Sequence, residues 1–161
     1  MARSIQLCLG SSGRYARYLK GRELILRRSR RSDVQAVLDL WTEARSGHAS
    51  TEDRVEDVER LVAESSPAAL LVAERDEEIV GALIAGWDGW RGNMYRLAVH
   101  EGCRRQGVGL ALTRAGEDYL RERGVRRVTA LVAFDDEQAG GFWDAAGYPR
   151  DREIGRRVRN L

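Results

Sequence analysis

One short run constrains this chain more than any other: Leu97-Ala98-Val99-His100-Glu101-Gly102-Cys103-Arg104-Arg105-Gln106-Gly107-Val108-Gly109. An apolar stretch of strand character enters a loop rich in Gly and Arg. The loop opens directly into a helical pattern with Val108, Leu112, Ala115 and Tyr119 on one face. The first backbone N–H groups of a helix have no intrahelical acceptor and carry partial positive charge. Glycines at 107 and 109 remove the β-carbons that would hold a ligand off that backbone, and Arg104 and Arg105 add formal charge. Such a segment makes a pyrophosphate site. Two other phosphate loops are excluded. A P-loop requires Gly-x4-Gly-Lys-Ser/Thr, and the one lysine is Lys20. A dinucleotide fingerprint requires Gly-x-Gly-x-x-Gly, and the position of its third glycine holds Leu112.

The chain around this loop has 161 residues, one domain's length, with 43% hydrophobic residues and no apolar run near the ~18 residues of a membrane helix. Two cysteines, Cys8 and Cys103, exclude a disulfide scaffold. With only His48 and His100 beside them, no Cys/His metal site is expected. Apolar periodicity predicts a strand at 24–28, then a helix at about 33–45 opened by a Ser32/Gln35 capping box. A second helix carries Val55, Val58, Leu61 and Val62 after an N-cap at Ser50 or Thr51. A hairpin follows, with strands at 69–74 and 79–87 around Asp76-Glu77-Glu78. The loop 88–92 leads to a strand at 93–99, then to the phosphate loop and its helix, stopped by Gly124. A strand at 125–133, a helix ended by Gly147 and a terminal hairpin at 148–151 and 154–161 complete the order. The expected architecture is mixed α/β (α+β): a central twisted mixed sheet of six to seven strands flanked by about four helices.

The net charge is only +2, but it is unevenly spread. Residues 1–31 carry nine basic side chains against Glu23 alone, and the remainder is net negative. Residues 1–22 read as a basic arm or extension, and 23–161 as the domain. A basic arm can meet nucleic acid. However, arginines outnumber the single lysine 26 to 1, which fits genome-wide codon bias, and no nucleic-acid module is recognisable. Nucleic acid and membrane are therefore not expected partners, whereas a homodimer through an exposed strand edge is an open expectation.

Arg104-x-x-Gly107-x-Gly109 resembles the acetyl-CoA pyrophosphate signature of the GNAT superfamily of N-acetyltransferases. Leu97-Ala98-Val99 resembles that family's fourth strand, which splays from the fifth so that pantetheine lies between them. Phe142-Trp143-Asp144-Ala145-Ala146-Gly147-Tyr148 resembles its second motif, and 86–92 is similar to a small bacterial YpeA-like branch. The resemblance implies a GNAT-like fold and a direct transfer of acetyl from acetyl-CoA to a primary amine (a protein N-terminus, a lysine or a small amine) in a ternary complex. It implies cofactor contacts from Leu97, Ala98, Val99, Arg104, Arg105, Gln106, Gly107, Val108 and Gly109. It also implies contacts from Asp136, where an Asn often holds pantetheine, and from Trp143, where a Tyr often protonates the leaving thiolate. The backbone N–H of Val99 is the implied donor to the thioester carbonyl. With residues 1–22 lacking the apolar length of a signal peptide and CoA supplied in the cytoplasm, a cytoplasmic protein is expected.

A base for the amine is harder to assign. Asn93 stands where the family frequently has Glu, and could orient a water. Asp88 is the nearest carboxylate by sequence, and is equally an Asx-turn residue in a Gly-rich bend. His100 reads as a surface loop residue; His48, between the first two helices, reads either as lining an acceptor site or as a solvated neighbour of a helix cap. Trp87, Trp90 and Tyr95 are expected to cluster at the acceptor edge, where aromatic faces attract cationic amines. The other reading is a catalytically silent CoA-binding sensor or structural domain.

Overall fold

The computed structural model describes residues 14–19, 21–44, 52–155, 157 and 159. They fall into two units, Met1–Leu131 and Val132–Leu161. In the first, six strands lie side by side in chain order: β1 (Arg14–Leu19), β2 (Arg22–Arg28), β3 (Ala69–Arg75), β4 (Glu78–Trp87), β5 (Gly92–Val99) and β6 (Val128–Ala130). β1 to β5 pair antiparallel, and β6 joins β5 in parallel. Helices α1 (Val34–Glu43), α2 (Val55–Val62) and α3 (Val108–Arg121) belong to the same unit. The second unit holds α4 (Glu137–Ala145). The mixed sheet with four helices is the expected class. Among the described residues, no helix is long and apolar enough to cross a membrane.

The two faces of the sheet are distinguishable residue by residue. Val34, Val37, Leu38 and Trp41 recur at helical spacing on α1. They pack with Val58 of α2 against Leu70, Val72, Ala82 and Ala98. On the other face α3 approaches through Gly116, where a β-carbon would sit 3.0 Å from both Leu83 Cδ2 and Met94 Cε. From Gly81 to Trp87, even-numbered β4 residues therefore face α1 and odd-numbered ones face α3, whereas Ile79, before a shift of register against β3, packs on the α1 side. The β3–β4 connection is a two-residue turn with positive φ at both Asp76 (51°) and Glu77 (64°), the backbone of a type I′ hairpin. Gly124 (φ 77°) and Gly147 (φ 93°) end α3 and α4 in the same way. The next amides, of Val125 and Tyr148, reach back to the Leu120 and Trp143 carbonyls.

Several expectations are corrected. The sheet starts inside the expected arm, since Arg14–Leu19 pairs along its whole length with β2. Its half-buried residues, Tyr15, Arg17 and Leu19, do alternate with exposed Ala16 and Tyr18, but charge and aromatic bulk obscure that period in the sequence. The strand expected at 125–133 shrinks to three residues, because β6 has a partner only at Gly92–Met94. No terminal hairpin forms among the described residues after 148: Pro149 to Glu153 offers no apolar face, and Ile154 is exposed. The Ser32/Gln35 box is replaced. Asp33 accepts the Arg30 N–H at 2.6 Å, and Gln35 donates to Asp39. His48, Ser50 and Thr51 lie outside the described residues.

Candidate active site

The site is built on an irregularity in β5. Register with β4 runs Ala82–Ala98 and then Ile84–Tyr95, so β5 carries one extra residue. Arg96 sits there at φ 53°. This is a β-bulge, and it resets the pleat. Before it, Met94 points at α3; after it, Ala98 points at α1. The bulge is pinned from the α1 face. Trp41 Nε1 donates to the Arg96 carbonyl at 3.1 Å, the Arg96 guanidinium lies 5.2 Å from the centre of the Trp41 ring, and Asp53 forms an ion pair with it.

Past the bulge β5 loses its outer neighbour, for β6 pairs no further than Met94. The His100 N–H donates to the Val80 carbonyl at 3.0 Å. Adjacent residues alternate the direction of their backbone groups, so the Val99 N–H and C=O point off the open edge. The Val99 carbonyl accepts Arg104 Nε at 3.2 Å. Leu97 and Val99 thus present backbone groups along the edge that leads into the loop before α3, while those of Ala98 turn to Ala82.

In that loop a 3₁₀ turn at Glu101–Cys103 precedes Arg105 (φ 57°) and Gly107 (φ 85°). Gly107 is the N-cap of α3; among the described residues no side chain caps the helix, and no acidic residue lies in its first turn. A β-carbon on Gly107 would meet only Leu19, at 3.7 Å. Backbone conformation, not space, therefore asks for glycine. Arg104 and Arg105 are exposed beside it. An uncapped fourteen-residue helix flanked by cations fits a pyrophosphate. Among the described residues no three of His, Cys, Asp and Glu gather into a metal site.

The structure also adds Arg75, which sequence reasoning missed. It ends β3, is buried, and donates from Nη1 to Gln106 Oε1 at 2.8 Å. Gln106 Nε2 in turn donates to the Gly102 carbonyl at 2.8 Å. The only sequence signal was an arginine just before a tight turn, a common surface arrangement.

The base candidates are dispersed. Asp88 lies at the opposite end of β5, about 20–25 Å from Val99 at strand rise. Its Oδ1 accepts the N–H groups of Trp90 at 2.8 Å and Arg91 at 2.6 Å. The Arg91 and Trp90 amides hold its carboxyl below the ordinary aspartate value. It is the Asx-turn residue. Asn93 Oδ1 accepts the Thr129 hydroxyl across the β5–β6 pair, which engages it away from Val99. His100 Nδ1 accepts the Gly102 N–H at 3.2 Å, and its Nε2 lies 3.9 Å from Glu43.

The expected aromatic cluster is split. Trp87 pairs with Gly92, whose β-carbon would face Leu120 of α3. Tyr95 pairs with Ile84 on the α1 face, its ring 3.2 Å from a β-carbon placed on Gly86. Trp90 is 74% exposed on the turn, with the Arg91 guanidinium stacked on its ring at 4.1 Å. Strand alternation, read together with the pairing, separates residues that sit close in sequence. In the second unit Asp136 Oδ1 accepts the Ala139 N–H at 2.9 Å as the N-cap of α4. Trp143 is buried edge-on between Phe142 and Tyr148.

Known proteins share the sequence pattern and the fold. The model of the acetyltransferase (GNAT) family matches residues 34–148. An acetyltransferase of Pectobacterium atrosepticum is 34% identical over 119 residues, covering 74% of this chain and 83% of that protein. The chain belongs to the GNAT acetyltransferase family. Among solved structures, an aminoglycoside N-acetyltransferase, AAC(6′)-Iy in complex with CoA, aligns at a TM-score of 0.69 and 18% identity, covering 88% of this chain and 98% of that one. A transcriptional regulator from Bacillus halodurans C-125 aligns at 0.72 and 18% identity, covering 85% and 99%. At such identities these two share the fold.

Proposed function

We propose that the chain transfers the acetyl group of acetyl-CoA directly to a primary amine, both substrates being bound together. One observation carries this reading: the unpaired edge of Leu97 and Val99 runs straight into an uncapped helix N-terminus. An extended pantetheine arm takes backbone hydrogen bonds along that edge. The amides of Val108 and Gly109, freed by Gly107, take the pyrophosphate, with Arg104 and Arg105 supplying charge and Gln106 holding the loop. The Val99 N–H is aimed where a thioester carbonyl would lie, and a fixed donor there stabilises the charge that develops on oxygen.

By family resemblance Asp136 and Trp143 would also contact the cofactor. Trp143 offers an indole N–H donor but no titratable proton, so the leaving thiolate takes its proton from water. Asp88, Asn93 and His100 each already accept a hydrogen bond, and the amine proton is assigned to water. Catalysis then rests on positioning and on the Val99 amide, which together can account for most of an acyl-transfer acceleration. The acceptor enters from the α1 face past Tyr95. That the family likeness extends to aminoglycoside acetyltransferases makes amino sugars part of the amine panel to test, beside lysine peptides, N-terminal peptides and polyamines.

Calorimetric titration with acetyl-CoA is expected to give micromolar binding. Arg104→Glu combined with Gly107→Val is expected to weaken it at least about a hundredfold, through charge reversal at the helix terminus and a β-branched residue at positive φ. Unchanged binding in the double variant would remove the site from this loop. Tight binding with no transfer to any amine would instead leave the silent CoA-binding domain.

A further inference from the structure

Arg75 is an anomaly in the first unit. Its side chain is 5% exposed, yet among the described residues it has no carboxylate partner. Nη1 reaches Gln106 Oε1 at 2.8 Å and lies 3.6 Å from Cys103 Sγ, while Nε and Nη2 are buried without a hydrogen bond. A fixed positive charge withdrawn from water with so little compensation opposes folding. A guanidinium cannot relieve this by losing its proton.

We propose that Arg75 is a positioning residue for the cofactor's pyrophosphate: an uncompensated cation beneath the phosphate loop that shapes it through Gln106 and is neutralised when the anion binds. The geometry gives it both tasks. Gln106 is clamped at both ends, its carbonyl oxygen by Arg75 and its amide by the Gly102 carbonyl at 2.8 Å. That clamp closes the turn from 102 to 106 and holds Arg105 at φ 57°, directly before Gly107. The charge lies on the protein side of the loop, where counter-ions do not screen it well. It therefore adds to the field at the α3 N-terminus in a way that the exposed Arg104 and Arg105 do not. The fold carries an unfavourable charge in the empty state, and the bound anion relieves it.

This rests on the acetyl-CoA reading, and the experiment separates the two. Full-length wild type, Arg75→Met and Arg75→Lys are compared in three ways. Without ligand, Arg75→Met should melt at or above the wild-type temperature, since methionine fills a similar volume without the charge. For CoA, its Kd should rise about tenfold, as expected for one lost charge-assisted contact, with Arg75→Lys recovering part of the loss. With one amine, its KM for acetyl-CoA should rise by a similar factor while kcat and the KM for acetyl-pantetheine, which lacks the pyrophosphate, stay within about twofold. A merely structural arginine would behave differently: Arg75→Met would melt lower and either bind CoA as wild type does or lose both thioesters alike. Either result overturns the proposal. If wild type binds no CoA, the cofactor reading falls and this one with it. If Arg75→Met does not fold, Gln106→Leu removes the clamp while leaving the buried cation in place. It should show the same split between the two thioesters, and equal KM values to wild type would again overturn the role.

Discussion

Two arginines of the same sheet are buried to nearly the same degree, Arg27 at 7% exposure and Arg75 at 5%. Their surroundings are opposite. Arg27 meets Asp33 through two nitrogens, at 2.6 and 3.0 Å, and Glu74 through Nε at 2.8 Å. Side-chain hydrogen bonding with Asp33 outweighs the effect of burial and raises its pKa further. Arg75 meets one neutral amide and one sulfur. The first guanidinium fastens β2 to β3 and to the start of α1. The second stands under a ligand loop with its charge unanswered. Burial alone says little about what a charge is for; the company it keeps says more.

The largest effect is expected where compensation is complete. Arg27→Met should lower stability by about 3–5 kcal/mol, because two carboxylates then stay behind without their cation. Denaturant unfolding measures this, and a loss below about 1 kcal/mol would erase the contrast with Arg75. Next is the acid limb of stability. Burial resists ionisation of Asp33, but the Arg27 hydrogen bonds and the Arg30 amide outweigh it and hold the carboxyl below the ordinary aspartate value. Its contribution is thus complete above the unfolded value near 4 and is lost as pH falls through the lower folded value. Wild type should lose melting temperature below about pH 4 more steeply than Asp33→Asn, and parallel curves would contradict the linkage. The smallest effect belongs to Asp88. It accepts two backbone N–H bonds but stands fully in solvent. Asp88→Ala should move the melting temperature by no more than about 3 °C and leave acetyl transfer unchanged. Lost transfer with an intact fold would return Asp88 to the role of base.

The conformation of the loop before α3 was legible because its requirements are local: the positive φ at Gly107, the helix start and the neighbouring cations all lie within one short run. The helices were legible for a similar reason, since Val34, Val37, Leu38 and Trp41 show their face by spacing alone. What could not be read depended on pairing. Trp87 and Tyr95 are eight positions apart and fall on opposite faces because Trp87 is paired with Gly92, an odd number of residues before Tyr95. Arg75 meets Gln106 across 31 residues, and no periodicity links them. β1 was missed because Arg14, Arg17 and the tyrosines hide an alternation that only the partner strand makes visible.

The bulge at Arg96 implies a particular kind of tolerance. The direction of the Val99 amide is fixed by its place opposite Gly81, not by any side chain at position 99. Substitutions along the strand can change bulk, charge or polarity and still leave that amide aimed off the same edge. Removing the one extra residue between 95 and 98 would restore regular pairing and keep Val99 opposite Gly81, at the cost of the carbonyl that the Trp41 indole holds. The geometry is written in the backbone, so a scan by replacement at position 99 would pass over it.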